Sequence, residues 1–377
     1  MKKIFFLYIT VMSVCLCACN RKAPEKNMVA IENQEFVTKE IEETEPPNNT
    51  LSETVVPISD KEITIPYEGS LDICFIANVD NIIFLAGVES DSGIYAIHKM
   101  KIEDNTSEKL PLNIPSDLMI QAFNLDIEGN IHIFLTDSDK SVQRCEMWVS
   151  DQEGRVIRKI DMREAFPIEG SFGQIVTDFV IDGEGRYYIS GNRFREISQS
   201  GITIIEADGQ ILGLVDSPDS HLWGIYSMAR GNDGKIYLSN NTRNSEMAVM
   251  SIDPEGLCIG ECYEDVLPSG YGSYTGAHAG INADLFFFGD AGIYSYDLGD
   301  ESGKQIIAGS MFPFSGEVQL CQEFLTDGRF LLVDGDRRMK TEIINGNEYL
   351  INSGEIYQNV VFYYIPVVSA MESESNN

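Results

Sequence analysis

Short apolar runs recur along this chain behind acidic, glycine-bearing turns. NIIFLAG (81–87), NIHIFLT (130–136), RYYISGN (186–192), KIYLSNN (235–241), DLFFFGD (284–290) and RFLLVDG (329–335) align without gaps. Ile82, Ile131, Tyr187, Ile236, Leu285 and Phe330 then share one position, recurring about every 50 residues. Two residues further on stand Phe84, Ile133, Ile189, Leu238, Phe287 and Leu332, and the position between is often apolar too. Such a strand is covered on both faces rather than one. A second hairpin follows in most units: CEMWVSDQEGRVIRKI (145–160), ITIIEADGQILGLV (202–215), AVMSIDPEGLCIG (248–260) and IYSYDLGDESGKQIIAG (293–309) each set Asp and Gly between two strands. Each unit is therefore two hairpins of four strands. A four-stranded unit at this period predicts an all-β fold, a six-bladed β-propeller with seven blades as the alternative, because a single blade cannot bury both of its faces.

The turns pose a chemical question. In IDGEGRYYISG (181–191) the DGEG stretch is either a ligand loop or a hairpin. A calcium EF-hand loop needs D-x-[DN]-x-[DN]-G with a later Glu, and a phosphate loop needs GK[ST] before a helix. Neither spacing occurs in the chain. Asp and Gly recur instead at each turn, with Gly129 and Gly154, Gly185 and Gly209, and Gly234 and Gly256 as the paired turn glycines of three successive units. Tight hairpins require this chemistry: Asp caps the turn and Gly takes positive φ.

LDIEGNIHIFLTD (125–137), VIDGEGRYYISG (180–191) and GNDGKIYLSN (231–240) resemble NHL-type repeats of six-bladed propellers. The resemblance is one of repeat pattern and extends over residues 62–368. It implies a ligand site at the mouth of the central channel, on the face bearing the blade-to-blade loops and the loops joining second to third strands. Either EITIPY (62–67) or the final IYQNVVFYYIPVV (356–368) is expected to close the ring.

The ends of the chain carry an address. Lys2 and Lys3 precede the apolar run IFFLYITVMSV (4–14), a signal-peptide layout too short for a permanent span. The following LCAC (16–19) resembles a bacterial lipobox, which implies cleavage and diacylation at Cys19. Residues 20–61, including EIEETEPPNNT (40–50), lack hydrophobic periodicity and read as a disordered acidic linker, and residues 369–377 as a polar tail. The expected location is the extracytoplasmic side of a membrane, held by lipid. With 27 Lys and Arg against 59 Asp and Glu, the net charge is −32, which argues against nonspecific nucleic-acid binding, and no nucleic acid is expected as a partner.

The cysteines carry no metal or disulfide framework. After Cys19 there remain Cys74, Cys145, Cys258, Cys262 and Cys321, an odd set without CxxC, read as buried free thiols. A bridge between Cys74 and Cys321 would lock adjoining first and last blades, if the geometry permits.

Two sets of residues are candidates for the channel mouth. The blade-to-blade loops supply Phe172, His221, Trp223, Tyr226, Tyr271, Tyr274, His278, Phe312 and Phe314, suited to stacking a sugar or peptide, or else to plugging the mouth. The second-to-third-strand loops supply Arg144, Arg193, Arg195, Arg243, Arg337 and Arg338, a cationic rim for an anionic ligand, or else partners of the acids beside them. No HExxH, GxSxG or SxxK motif occurs, and the catalytic residues are left unassigned. His132 lies inside a strand and reads as a satisfied core residue, while Asp178 is a lone carboxylate placed to line the channel. The leading expectation is a binding or interaction module for a carbohydrate, a peptide or an envelope protein. The rival is a lyase, lactonase or glycosidase acting on a glycan or lactone. No cofactor is expected for the first, and calcium belongs to the second.

Overall fold

The computed structural model describes residues 64–66, 71–80, 82–101, 107–137, 144–164, 175–192, 200–215, 225–231, 233–241, 247–255, 257–263, 274–279, 285–289, 292–297, 299, 302–308, 318–325, 329–344 and 347–366. All of them belong to the compact unit Glu53–Asn377. Cys19, the linker before residue 62 and the polar tail lie outside them. Among the described residues no helix is long and apolar enough to cross a membrane.

The strands form six four-stranded antiparallel sheets. The first contains β2 (Leu71–Val79), β3 (Ile82–Glu89), β4 (Tyr95–Lys101) and β5 (Ser107–Lys109), and the second β6 (Leu118–Leu125), β7 (Ile131–Asp137), β8 (Cys145–Ser150) and β9 (Val156–Asp161). The third contains β10 (Ile175–Ile181), β11 (Tyr187–Asn192), β12 (Ser200–Ile205) and β13 (Ile211–Val215), and the fourth β14 (Ile225–Arg230), β15 (Ile236–Asn241), β16 (Met247–Asp253) and β17 (Cys258–Tyr263). The fifth contains β18 (Tyr274–Ala279), β19 (Leu285–Gly289), β20 (Gly292–Asp297) and β21 (Ser302–Ala308). The sixth joins β22 (Val318–Phe324), β23 (Arg329–Ile344) and β24 (Asn347–Pro366) to the first strand of the unit, β1 (Thr64–Pro66). Both expected closing segments are thus used together: Thr64, Ile65 and Pro66 pair with Tyr363, Phe362 and Val361.

The first strands of successive sheets adjoin: β2 touches β6, β6 touches β10, β10 touches β14, β14 touches β18, β18 touches β22, and β22 returns to β2. This is a propeller arrangement. The doubly apolar strands explain why the sheets stack. On β3, Ile83 and Leu85 join the core shared with the sixth sheet, beside Leu331, Val333 and Phe362. Phe84 and Ala86 point the other way, into the core shared with Ile131, Ile133 and Leu135 of β7. On β11, Tyr187 and Ile189 pack toward the second sheet and Tyr188 toward the fourth. Fully burying side chains of this size contributes about 1.5–3 kcal/mol each, and a strand covered on both faces collects that on both.

The turns answer the question raised by DGEG. The Asp182 amide donates to the Arg186 carbonyl at 3.1 Å, and the Gly185 amide to the Asp182 carbonyl at 3.2 Å. The Asp182 carboxylate accepts the Glu184 amide at 2.9 Å and the Arg186 amide at 3.0 Å. Asp126 and Asp151 repeat this pattern in the second sheet. Gly185 takes φ +83°. The acids bind their own backbone, so these stretches are hairpins.

Several expectations need correction. Tyr226 lies in β14, and Tyr274 and His278 in β18, so these are strand residues rather than loop residues. The strand nearest the axis carries small residues, as in YTGAHA, and so reads as a loop. Arg337 and Arg338 lie inside β23, whose hairpin with β24 runs on past the end of β22, with Arg337 opposite Tyr357. That extension lacks the doubly apolar pattern of the covered strands. Cys74 and Cys258 are free thiols, and Cys258 is exposed rather than buried.

Candidate functional site

The first strand of every sheet carries a β-bulge at the same place. Cys74, Gln121, Thr177, Tyr226, Thr275 and Leu320 are each skipped by the register with the second strand. A bulge re-aims the side chains beside it, and bulges gather next to functional sites. The residue after the third-sheet bulge is Asp178, and Glu323 stands three residues after the sixth-sheet bulge. Their strands belong to the third and sixth sheets in chain order.

Both carboxyls are held from neighbouring sheets. Asp178 Oδ1 accepts the Phe179 amide at 2.8 Å, and its Oδ2 accepts the Met228 amide of β14 at 3.1 Å. Glu323 Oε1 accepts Nδ2 of Asn78, on β2, at 3.1 Å. In the same manner Asn124 Nδ2 of β6 donates to the Phe179 carbonyl of β10 at 2.8 Å.

Their electrostatics set them apart. The Asp178 residue keeps some surface, yet its carboxyl group is stripped of water, and this burial pushes it up to about 7 against the pull of the Met228 and Phe179 amides. Burial pushes Glu323 up to about 8; the Asn78 amide opposes this, and the negative charge of Asp178 adds to it. Near neutral pH the two groups supply both protonated donors and ionised acceptors. That suits hydroxyl groups, and also general acid and base work.

Glu323 was not singled out from sequence. Its only signal is position: CQE in β22 occupies the part of the first strand that DFV occupies in β10, which sets Glu323 level with Val180. Calcium takes six to eight oxygens. Among the described residues no group of three or more His, Cys, Asp or Glu side chains converges on a metal site. The oxygens of Asp178 are already turned to two backbone amides, which fits an anion acceptor better than a calcium ligand.

The arginine and aromatic candidates fare differently. Arg144 is committed to acids: its Nε donates to Asp137 Oδ1 at 2.9 Å, its amide to Asp137 Oδ2 at 2.7 Å, and its guanidinium also pairs with Asp117. His221, Trp223, Tyr271, Arg193, Arg195 and Arg243 lie outside the described residues, as do Phe172, Phe312 and Phe314. Tyr226, Tyr274, His278 and Arg337 have their backbone placed as given above.

His132 is a satisfied core residue. Its Nδ1 meets the Tyr187 hydroxyl of the third sheet at 3.0 Å, and its Nε2 meets Asp126 Oδ2 at 3.1 Å. Burial would raise the Asp126 carboxyl, but hydrogen bonds from His132 and Asn130 outweigh it and hold the group down at about 2. The ring thus staples the second sheet to the third.

No family model matches the chain, and no curated protein matches it. Solved structures of similar backbone include "YCF48 bound to D1 peptide", at 11% identity over 83% of this chain and 98% of that one, with a TM-score of 0.46. A putative gluconolactonase is 11% identical over 80% of this chain and 88% of that one, with a TM-score of 0.46. The PQQ-bound aldose sugar dehydrogenase of Streptomyces coelicolor is 10% identical over 78% of this chain and 95% of that one, with a TM-score of 0.45.

Proposed function

We propose that this chain is a lipid-anchored, extracytoplasmic six-bladed propeller that binds a hydroxyl-rich ligand, a carbohydrate, in its central channel. The observation that carries the reading is that Asp178 and Glu323, on the first strands of the third and sixth sheets, are each desolvated and each pushed up, to about 7 and about 8. Carboxyls that are part-protonated near neutral pH present both donors and acceptors, which a sugar hydroxyl matches and an inorganic anion does not. The aromatic candidates His221, Trp223, Tyr226, Tyr271, Tyr274 and His278 would stack the sugar faces at the mouth. Acylation at Cys19 and the acidic stretch 20–61 would hold the propeller clear of the membrane.

The reading is tested by thermal shift of the purified protein with neutral and acidic oligosaccharides from pH 5 to pH 9. A ligand that binds only the folded state raises the midpoint by mass action. The expected result is a shift that weakens as the pair ionises and disappears in Asp178→Asn. A shift equal at all pH values, or one retained in that variant, refutes the channel site.

A second reading rests on the same pair. Carboxyls brought near neutrality are suited to proton transfer, which favours an enzyme acting on a glycan or lactone. Turnover of a polysaccharide or lactone panel that is lost in Glu323→Gln would establish it. Binding without turnover leaves the module reading.

A further inference from the structure

The outer rim of the second sheet presents a surface unrelated to the channel. β9 is the last strand of that sheet, so among the described residues one of its backbone edges has no partner strand. Its residues from Val156 to Lys159 are exposed, with Val156 at 42% and Ile157 at 60%. Ile157 is the residue skipped between the Ser150↔Val156 and Val149↔Arg158 pairs. Arg158 and Lys159 follow directly and point to opposite faces of the sheet. Arg158 Nη2 reaches the Tyr187 hydroxyl at 3.4 Å, and Lys159 Nζ sits 3.3 Å from the centroid of the Trp148 ring. Neither forms an ion pair among the described residues, whereas Arg155 pairs with Asp151 and Arg163 with Asp161. A chain of net charge −32 therefore exposes two unneutralised cations beside two apolar side chains on one open edge.

We propose that β9 is a docking strand for an extended acidic segment of a partner protein, which adds to the second sheet along its open edge. Strand addition takes its affinity from main-chain hydrogen bonds and its selectivity from alternate side chains. Adjacent acids in the incoming segment would meet Arg158 on one face and Lys159 on the other. Adjacent apolar residues would cover Val156 and Ile157. A second copy of this chain fits badly, because antiparallel pairing of β9 with itself gathers like charges across the new ladder. Two acidic protein bodies also repel each other.

The test uses the purified full chain in detergent and a labelled peptide of repeating Glu-Glu-Val-Val, read by fluorescence anisotropy. A Lys-Lys-Val-Val peptide and a backbone N-methylated copy of the acidic one serve as controls. The expected result is salt-sensitive binding of the acidic peptide only, with slowed amide exchange over residues 156–160. Arg158→Glu with Lys159→Glu should weaken it by about tenfold or more. Lys159→Glu alone gives a smaller loss and keeps the test available if the double variant folds poorly. No binding of the acidic peptide, equal binding by the charge-reversed variant, or full binding of the N-methylated peptide would each overturn the proposal. Self-association of the charge-reversed variant with unchanged peptide affinity would do so too, since the cations would then guard the edge against self-pairing.

Discussion

Asn78 and Glu323, 245 residues apart in sequence, share a 3.1 Å hydrogen bond that joins the first strand of the first sheet to the first strand of the sixth. The bond lies where β2 of the first sheet meets β22 of the last, while the pairing of β1 with β24 closes the same sheet at its other edge. Replacing Glu323 by Gln keeps the carbonyl acceptor for Asn78 and removes a charge that burial and Asp178 both disfavour. Glu323→Gln should therefore match the parent near pH 5 and exceed it above pH 8. Glu323→Ala leaves the Asn78 amide without this partner and should cost about 1–3 kcal/mol near pH 5, and less above pH 8, where the parent has lost the contribution of protonated Glu323. Urea unfolding at the two pH values separates the outcomes.

The channel pair makes stability fall as pH rises. A carboxyl raised in the folded state binds protons that the unfolded chain has already lost. The contribution of Asp178 is complete below 3.8 and lost as pH climbs through about 7. That of Glu323 is complete below 4.5 and lost through about 8. A decline of several kcal/mol between pH 5 and pH 8 is expected, and thermal melts across that range will show whether it occurs.

Asp178→Asn should flatten the lower part of that decline. It also carries its own penalty, because the side-chain amide nitrogen must face either the Phe179 or the Met228 amide, both of which are donors. Near pH 5 the variant should be less stable than the parent by about 1–2 kcal/mol, and near pH 9 the difference should shrink.

The staple between the second and third sheets works with the opposite sign. Asp126 is held down at about 2 in the folded protein, so its contribution is present above 3.8 and lost as pH falls toward 2. Tyr187→Phe removes the hydroxyl on His132 Nδ1 inside a buried contact. It should cost about 1–3 kcal/mol and leave the acid limb in place, whereas Asp126→Asn should weaken that limb. Acid titration of the two variants by circular dichroism distinguishes them.

Two turn glycines should respond differently to alanine. Gly185 has φ +83° and its nearest neighbour to an added Cβ is the Ala207 Cβ at 3.5 Å, so only backbone strain is expected, about 1 kcal/mol. Gly209 has φ +99°, and an added Cβ would lie 2.5 Å from Ile160 Cγ2 of the neighbouring sheet. Gly209→Ala should cost clearly more, and a midpoint difference between the two variants measures how tightly that turn rests on β9.

The repeating strands were legible because a doubly covered strand needs apolar residues at adjacent positions, and Ile83 with Phe84 or Tyr187 with Tyr188 announce this locally. The turns were legible for the same reason: Asp182 and Gly185 satisfy their own backbone within five residues, Asp182 to Arg186, so their chemistry sits in one window. Tyr226, Tyr274, His278 and Arg337 were misplaced into loops because bulged or extended strands break the alternation that marks a strand.

Sequence by itself determined the all-β repeat, its four-stranded units and the hairpin role of the acidic turns, since each follows from contacts between near neighbours. Only the tertiary structure decided that Met228 and Phe179 hold Asp178, that Asn78 holds Glu323, and that Arg144 is taken up by Asp117 and Asp137. The raised carboxyls depend on neighbouring sheets packing over β10 and β22, and on the water that packing excludes. Neither burial nor the approach of distant charges leaves a mark in a local stretch of residues.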